Sequence, residues 1–251
     1  MATLSVWTAG HGTRVVCVHG SASSGENFLY LAESIPGYLI VAPDRPNYGT
    51  SPESNPSSLD SEAAQIVELL EEDGAHLFGS SYGGVVAMLA AIRRPDLVRS
   101  LTVNEPPAFQ LAARHPEVRQ LLDRLRSVYP PPPGLTPQEW NERFASATGM
   151  PPFDAPLTPE DERAVVAMMR EQPPWEAALD LERLRRTPFP KLILSGGWSP
   201  AFGAVCDVLE RRLGARRIDR PGAGHRLSSD PDRWIPEVRA TWHAAEALGL
   251  P

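Results

Sequence analysis

Ala75-His76-Leu77-Phe78-Gly79-Ser80-Ser81-Tyr82-Gly83-Gly84-Val85-Val86-Ala87-Met88-Leu89-Ala90-Ala91-Ile92 passes from a short apolar run to a longer one through a knot of glycine and serine. His76–Gly79 reads as a short buried strand. Tyr82–Arg93 reads as a mostly apolar helix, closed by Arg93-Arg94 and then Pro95. The join matches Gly-x-Ser-x-Gly with Ser81 at its centre. A side chain on so sharp a turn takes strained backbone angles, and the flanking glycines let strand and helix approach closely. An inert serine in a glycine-rich turn is the plain alternative. The strand before it and the helix after it favour an exposed nucleophile.

Outward from this turn, short apolar runs alternate with helical patterns, as βαβ units do. Leu4–Thr8, Arg14–Val18, Tyr38–Ala42, Val98–Val103, Lys191–Ser195 and Arg216–Arg220 read as further strands. Leu59–Glu72, Ala201–Leu213 and Pro231–Ala247 read as helices. From Pro106 to Thr187 strand-like runs vanish. Helical stretches at Glu117–Val128, Pro137–Ala147 and Pro159–Glu171 lie between proline clusters, which accounts for much of the 27 prolines. The expected fold is α/β: one domain over residues 1–251, with a mostly parallel, doubly wound sheet and a helical cap at 106–187, inserted before the last two strands.

A chain of 251 residues with 42% hydrophobic and 22% charged content can bury one large core. The net charge of −7 argues against nucleic acid as the main ligand, because phosphate recognition needs a clustered positive face. No apolar run is long enough to span a bilayer, no basic amphipathic stretch marks a membrane surface, and no secretory signal opens the chain. Cys17 sits in an apolar strand and Cys206 in a helix, so no structural disulfide is expected and a cytoplasmic setting follows. Cysteines and histidines lack metal-ligand spacing, so neither metal nor cofactor is expected. Oligomeric state is not legible.

Two more loops carry chemistry. Val15-Val16-Cys17-Val18-His19-Gly20-Ser21-Ala22 is an apolar strand running into His-Gly. Acyl transfer needs a backbone N–H there to hold a developing oxyanion, a contribution of about 3 kcal/mol per donor. Ser21 is the first choice and Ala22 the second, with Tyr82 N–H as the other donor. His19 reads as a loop-shaping residue. Pro221-Gly222-Ala223-Gly224-His225 follows the last strand, and a histidine there can reach Ser81 as general base. His11, His76, His115 and His243 have no comparable setting and read as surface or core.

The strand–His-Gly loop, Asp44-Arg45-Pro46-Asn47-Tyr48-Gly49, the serine turn and the late Gly-x-Gly-His together resemble the α/β-hydrolase superfamily. The resemblance covers nearly the whole chain outside the insertion, which it identifies with the family's cap. It implies a Ser…acid…His order. In many members the acid stands in a Gly-x-x-Asp stretch after the cap, but Gly196-Gly197-Trp198-Ser199 carries serine at that place. Other members place the acid after the preceding strand. Here that is Leu101-Thr102-Val103 followed by Asn104-Glu105, and Glu105 is assigned as the triad acid. Asp207 is a rival aimed away from the site. Asp44 is read as holding its own loop.

The resemblance implies acyl transfer to water through Ser81, His225 and Glu105. Serine at this turn excludes the branches whose nucleophile is aspartate. The expected substrate is a small to medium, largely apolar carboxylic ester, thioester or lactone, bound by Ala22, Trp175, Trp198 and Phe202. Two alternatives stay open. The same triad serves non-hydrolytic chemistry such as C–C bond cleavage or cofactor-free peroxidation. A ligand receptor on the same scaffold would show a damaged triad, and Ser199 is the one hint of damage.

Overall fold

The computed structural model describes residues 3–53 and 58–249. Seven strands form one sheet: β1 (Val6–Gly10), β2 (Thr13–Val18), β3 (Tyr38–Pro43), β4 (Ala75–Ser80), β5 (Val98–Asn104), β6 (Lys191–Ser195) and β7 (Arg216–Asp219). Their order is β1-β3-β2-β4-β5-β6-β7. Six strands run parallel, and β1 pairs antiparallel with β3 at the edge. The loop at Gly10–Gly12 therefore does not close a hairpin, since β1 lies on the far side of β3 from β2. The strand order reverses between β2 and β4. In a doubly wound sheet that point opens a crevice at the carboxyl ends of the strands.

Helices cover both faces. Side chains alternate along a strand, so Val16 and Val18 of β2 join one buried cluster and Val15 and Cys17 the other. The first cluster holds α2 (Leu59–Glu68), α3 (Tyr82–Arg93) and α8 (Pro200–Leu213). The second holds α1 (Leu31–Ser34) and α9 (Pro231–Ala247), with Trp234 and Trp242 fully buried. Between β5 and β6 run α4 (Pro116–Leu125), α5 (Pro137–Thr148), α6 (Pro159–Arg170) and α7 (Leu181–Arg185). Their buried residues, Leu121, Trp140, Val165 and Leu184 among them, join the first cluster.

Many of the prolines punctuate helices. Five of them, α4, α5, α6, α8 and α9, open with proline in the first turn. There the missing N–H has no intrahelical partner to lose, and the fixed φ suits the helix. Thr136 and Thr158 cap α5 and α6 by accepting from Glu139 N and Asp161 N. Among the described residues no helix is long and apolar enough to cross a membrane.

His76 of β4 is a core residue. Its Nδ1 pairs with Ser100 Oγ at 2.8 Å and its ring stacks on Trp242 at 5.4 Å. Burial, with help from Arg99 and His243, lowers its pKa from 6.5 to about 3. Between those values the unfolded chain binds a proton that the native fold refuses. The contribution of neutral His76 is thus fully present above pH 6.5 and is lost as pH falls toward 3. His76→Gln is expected to flatten the acid-side loss of unfolding free energy by about 1.4 kcal/mol per pH unit in that window. Urea titrations of both proteins at several acidic pH values measure it, and parallel slopes would contradict the assignment.

Candidate active site

Ser81 stands between β4 and α3 with φ 53° and ψ −124°, in the left-handed half of the map. Such a conformation costs on the order of 1–3 kcal/mol and persists only where the surroundings over-determine it. Here they do. A Cβ on Gly79 would lie 2.4 Å from Gly83 O, and one on Gly83 would lie 2.2 Å from Val18 O. Only glycines let α3 pack this closely on β2 and β4. Ser81 N donates to Asn104 O at 2.8 Å, and Gly84 N donates to Ser81 O at 2.8 Å. Ala22 and Glu105, at φ 54° and 41°, bring two more strained residues to the same end of the sheet.

Glu105 leaves β5 buried, 1% exposed. Its Oε1 accepts from Gly196 N at 2.7 Å. Its Oε2 accepts from Trp198 Nε1 at 2.8 Å and pairs with His225 Nδ1 at 2.7 Å. The Gly196–Ser199 loop thus supplies donors to an acid on the neighbouring strand. Ser199 sits at the start of α8 with no side-chain cap bond. With Nδ1–H donated to the carboxylate, His225 presents the lone pair of Nε2. That atom is buried and makes no hydrogen bond among the described residues. The imidazole packs against Phe202 at 5.0 Å and Trp198 at 5.8 Å between ring centroids.

Ser81 and His225 open onto one cavity of about 700 Å³, together with Ser21 and Tyr82. Ala22, Trp175, Trp198 and Phe202 line the same cavity. Trp198 does more than line it, because its indole N–H holds Glu105. The rivals lie elsewhere. Asp207 is exposed and paired with Arg217. Asp44 is buried and braces three segments, accepting from Gly25 N at 2.9 Å and Trp7 Nε1 at 3.1 Å while its own loop folds around it. His19 is buried, and its Nε2 accepts from Arg45 N at 2.8 Å. Burial and the Arg45 charge lower its pKa to about 3, which keeps it neutral.

Sequence reasoning passed over four residues here. Arg220 is buried at the end of β7. It donates to Asn104 Oδ1 at 2.8 Å and to the carbonyls of Arg226 and Ser229, and so shapes the His225 loop. Asn104 Nδ2 donates to His225 O at 3.1 Å and Ser80 Oγ at 3.2 Å. Arg45 and Glu171 form a buried pair at 2.8 Å beside Ser21 and Tyr82. Arg45 had a signal, since it lies in one of the loops that carry the resemblance. Glu171 had none, being the last residue of an ordinary amphipathic run.

Comparison with known proteins places this geometry in a lineage. A sequence profile described as the alpha/beta hydrolase family matches residues 15–237. Lipase LipV of Mycobacterium tuberculosis is 32% identical over 221 residues, covering 80% of this chain and 82% of that protein. Lipase 1 of Psychrobacter immobilis is 32% identical over 106 residues, 39% of this chain and 33% of its own length. An alpha/beta hydrolase from Sphaerobacter thermophilus superposes with a TM-score of 0.69 at 21% identity, over 95% of this chain and 96% of that one. Since the profile runs from β2 through the serine turn to the loop of His225 and on into α9, the chain belongs to the alpha/beta hydrolase family.

Proposed function

We propose that this chain hydrolyses carboxylic esters through a Ser81–His225–Glu105 triad and an acyl-enzyme. The observation that carries the reading is the 2.7 Å Glu105–His225 pair, with His225 and Ser81 lining one cavity. His225 Nε2 takes the Ser81 Oγ proton as Oγ attacks the ester carbonyl. Ser21 and Tyr82 N–H groups receive the oxyanion, and Glu105 stabilises the imidazolium. The imidazolium then protonates the leaving alkoxide. Water repeats the sequence and releases the acid. The steps call on no cofactor. The long match to Lipase LipV supports the same class of reaction.

The substrate in this reading is a small to medium, largely apolar ester, thioester or lactone. Its support is the cavity wall, where apolar side chains, Leu125, Phe144, Met168, Trp175 and Phe202 among them, outnumber polar ones. Residues 106–187 act as the cap, since α4, α5 and α6 supply several of those side chains. The carboxylate on His225 weighs against a receptor with a damaged triad. The two cysteines, buried and unpaired, suit the cytoplasm.

A fluorophosphonate is expected to add to the wild-type protein and not to Ser81→Ala, read as intact mass. No adduct on folded wild type would overturn the nucleophile. Glu105→Gln is isosteric and keeps an acceptor for Gly196 N. It is expected to fold with an unchanged melting temperature within a few degrees and to lower kcat on a p-nitrophenyl ester by about a thousandfold or more. Near-normal turnover in that variant would remove Glu105 from the triad.

A further inference from the structure

Glu171 follows α6, at the point where the insertion turns back toward the sheet. It is 7% exposed and carries three donors. Oε1 accepts from Arg45 Nη2 and from Tyr48 OH, each at 2.8 Å, and Oε2 accepts from Ser21 Oγ at 2.6 Å. Arg45 in turn binds Glu62 at 2.7 Å and lays its guanidinium over the Tyr82 ring, 3.8 Å from the centroid. Burial raises the Glu171 carboxyl pKa, while Arg45 and the Ser21 and Tyr48 hydroxyls act against the rise. The two residues assigned as oxyanion donors are therefore both touched by one network. Ser21 is held through its hydroxyl and Tyr82 through its ring.

We propose that Glu171 is a positioning residue that fastens the Ser21–Ala22 loop to the insertion, so that the oxyanion donors are set only while the insertion is seated. The proposal rests on the oxyanion reading above. Its physical basis is the high cost of a buried carboxylate without donors. Ala22 holds φ 54°, a conformation that an alanine leaves unless its neighbours are fixed. Glu171 fixes the neighbour at Ser21. Lifting α6 would strip the carboxylate of Ser21, Arg45 and Tyr48 together. The contact therefore has a seated and an unseated state, with little between them. Next in the chain, Gln172 Oε1 accepts from Leu59 N at 3.1 Å, a second stitch from the same turn to α2.

The test uses the full chain and the variants Glu171→Ala, Glu171→Gln, Ser21→Ala and the Glu171→Ala/Ser21→Ala pair. Amide hydrogen exchange over residues 20–24 reads the tie directly, without reference to activity. Exchange there is expected to speed up by about tenfold or more in Glu171→Ala and in Ser21→Ala. On a p-nitrophenyl ester, Glu171→Ala is expected to lower kcat by about 10–100-fold with KM within about threefold, the mark of a donor lost in the transition state. Glu171→Gln should recover most of that loss, and the double variant should be no worse than Glu171→Ala alone. A raised KM with unchanged kcat, or unchanged exchange in both single variants, overturns the proposal. If Glu171→Ala does not fold, Ser21→Ala, which removes one hydroxyl, decides by the same two readouts. A wild type that neither hydrolyses esters nor takes a fluorophosphonate sinks the Ser81 reading instead, and loop exchange still decides whether Glu171 holds Ser21.

Discussion

A carboxylate taken out of water must be met by donors, and the site is arranged around two places where that demand is satisfied. At Glu105 the donors are a backbone N–H, an indole and an imidazole, drawn from two loops after the insertion. Each is fixed by what the others require. The loop after β6 must turn so that Gly196 N points back at β5. That loop passes so close to the His225 loop that a Cβ on Gly196 would lie 1.8 Å from Gly224 O. His225 is held by Nδ1 on the carboxylate, and its Nε2 makes no hydrogen bond among the described residues. The second demand, at Glu171, links the insertion to β2 and β3 in the same way.

Three of the six described non-glycine residues with positive φ, Ser81, Glu105 and Ala22, stand where these demands meet. For Ser81 the constraint is packing, since α3 lies against β2 with no room for a methyl group at Gly83. For Glu105 it is hydrogen bonding, since its backbone N–H donates to Leu194 O and its side chain is held at both oxygens. The stable core of two helix layers on a parallel sheet is what bears this local cost.

Legibility in the sequence followed the range of the interaction. The turn at Gly79–Gly83 was readable because strand, glycine pair and helix lie within one window. Proline-led helices were readable for the same reason, and their bounds moved by only a few residues. The pairing of β1 with β3 was not readable, because register between distant strands leaves no local mark on either. At the site, eight side chains named from the sequence line one cavity, and Glu105 lies behind it against His225. The partners that hold them were hidden. Glu171 meets Ser21 across 150 positions and Glu105 meets Gly196 across 91, and neither span carries a periodicity or a motif.

Placing the carboxylate at the end of β5 also changes what the rest of the chain is free to do. Ser81 and Glu105 fall within one β4–α3–β5 unit, on adjacent strands joined by a tight crossover. Had the acid stood at Ser199, the path from nucleophile to acid would have run through the whole of residues 106–187. As built, that stretch can grow, shrink or exchange helices without altering the spacing of serine and carboxylate. Only the histidine must find its way back across the sheet. Ser81 and Glu105 both precede residue 106, whereas Glu171 and several of the apolar side chains that line the cavity come after it.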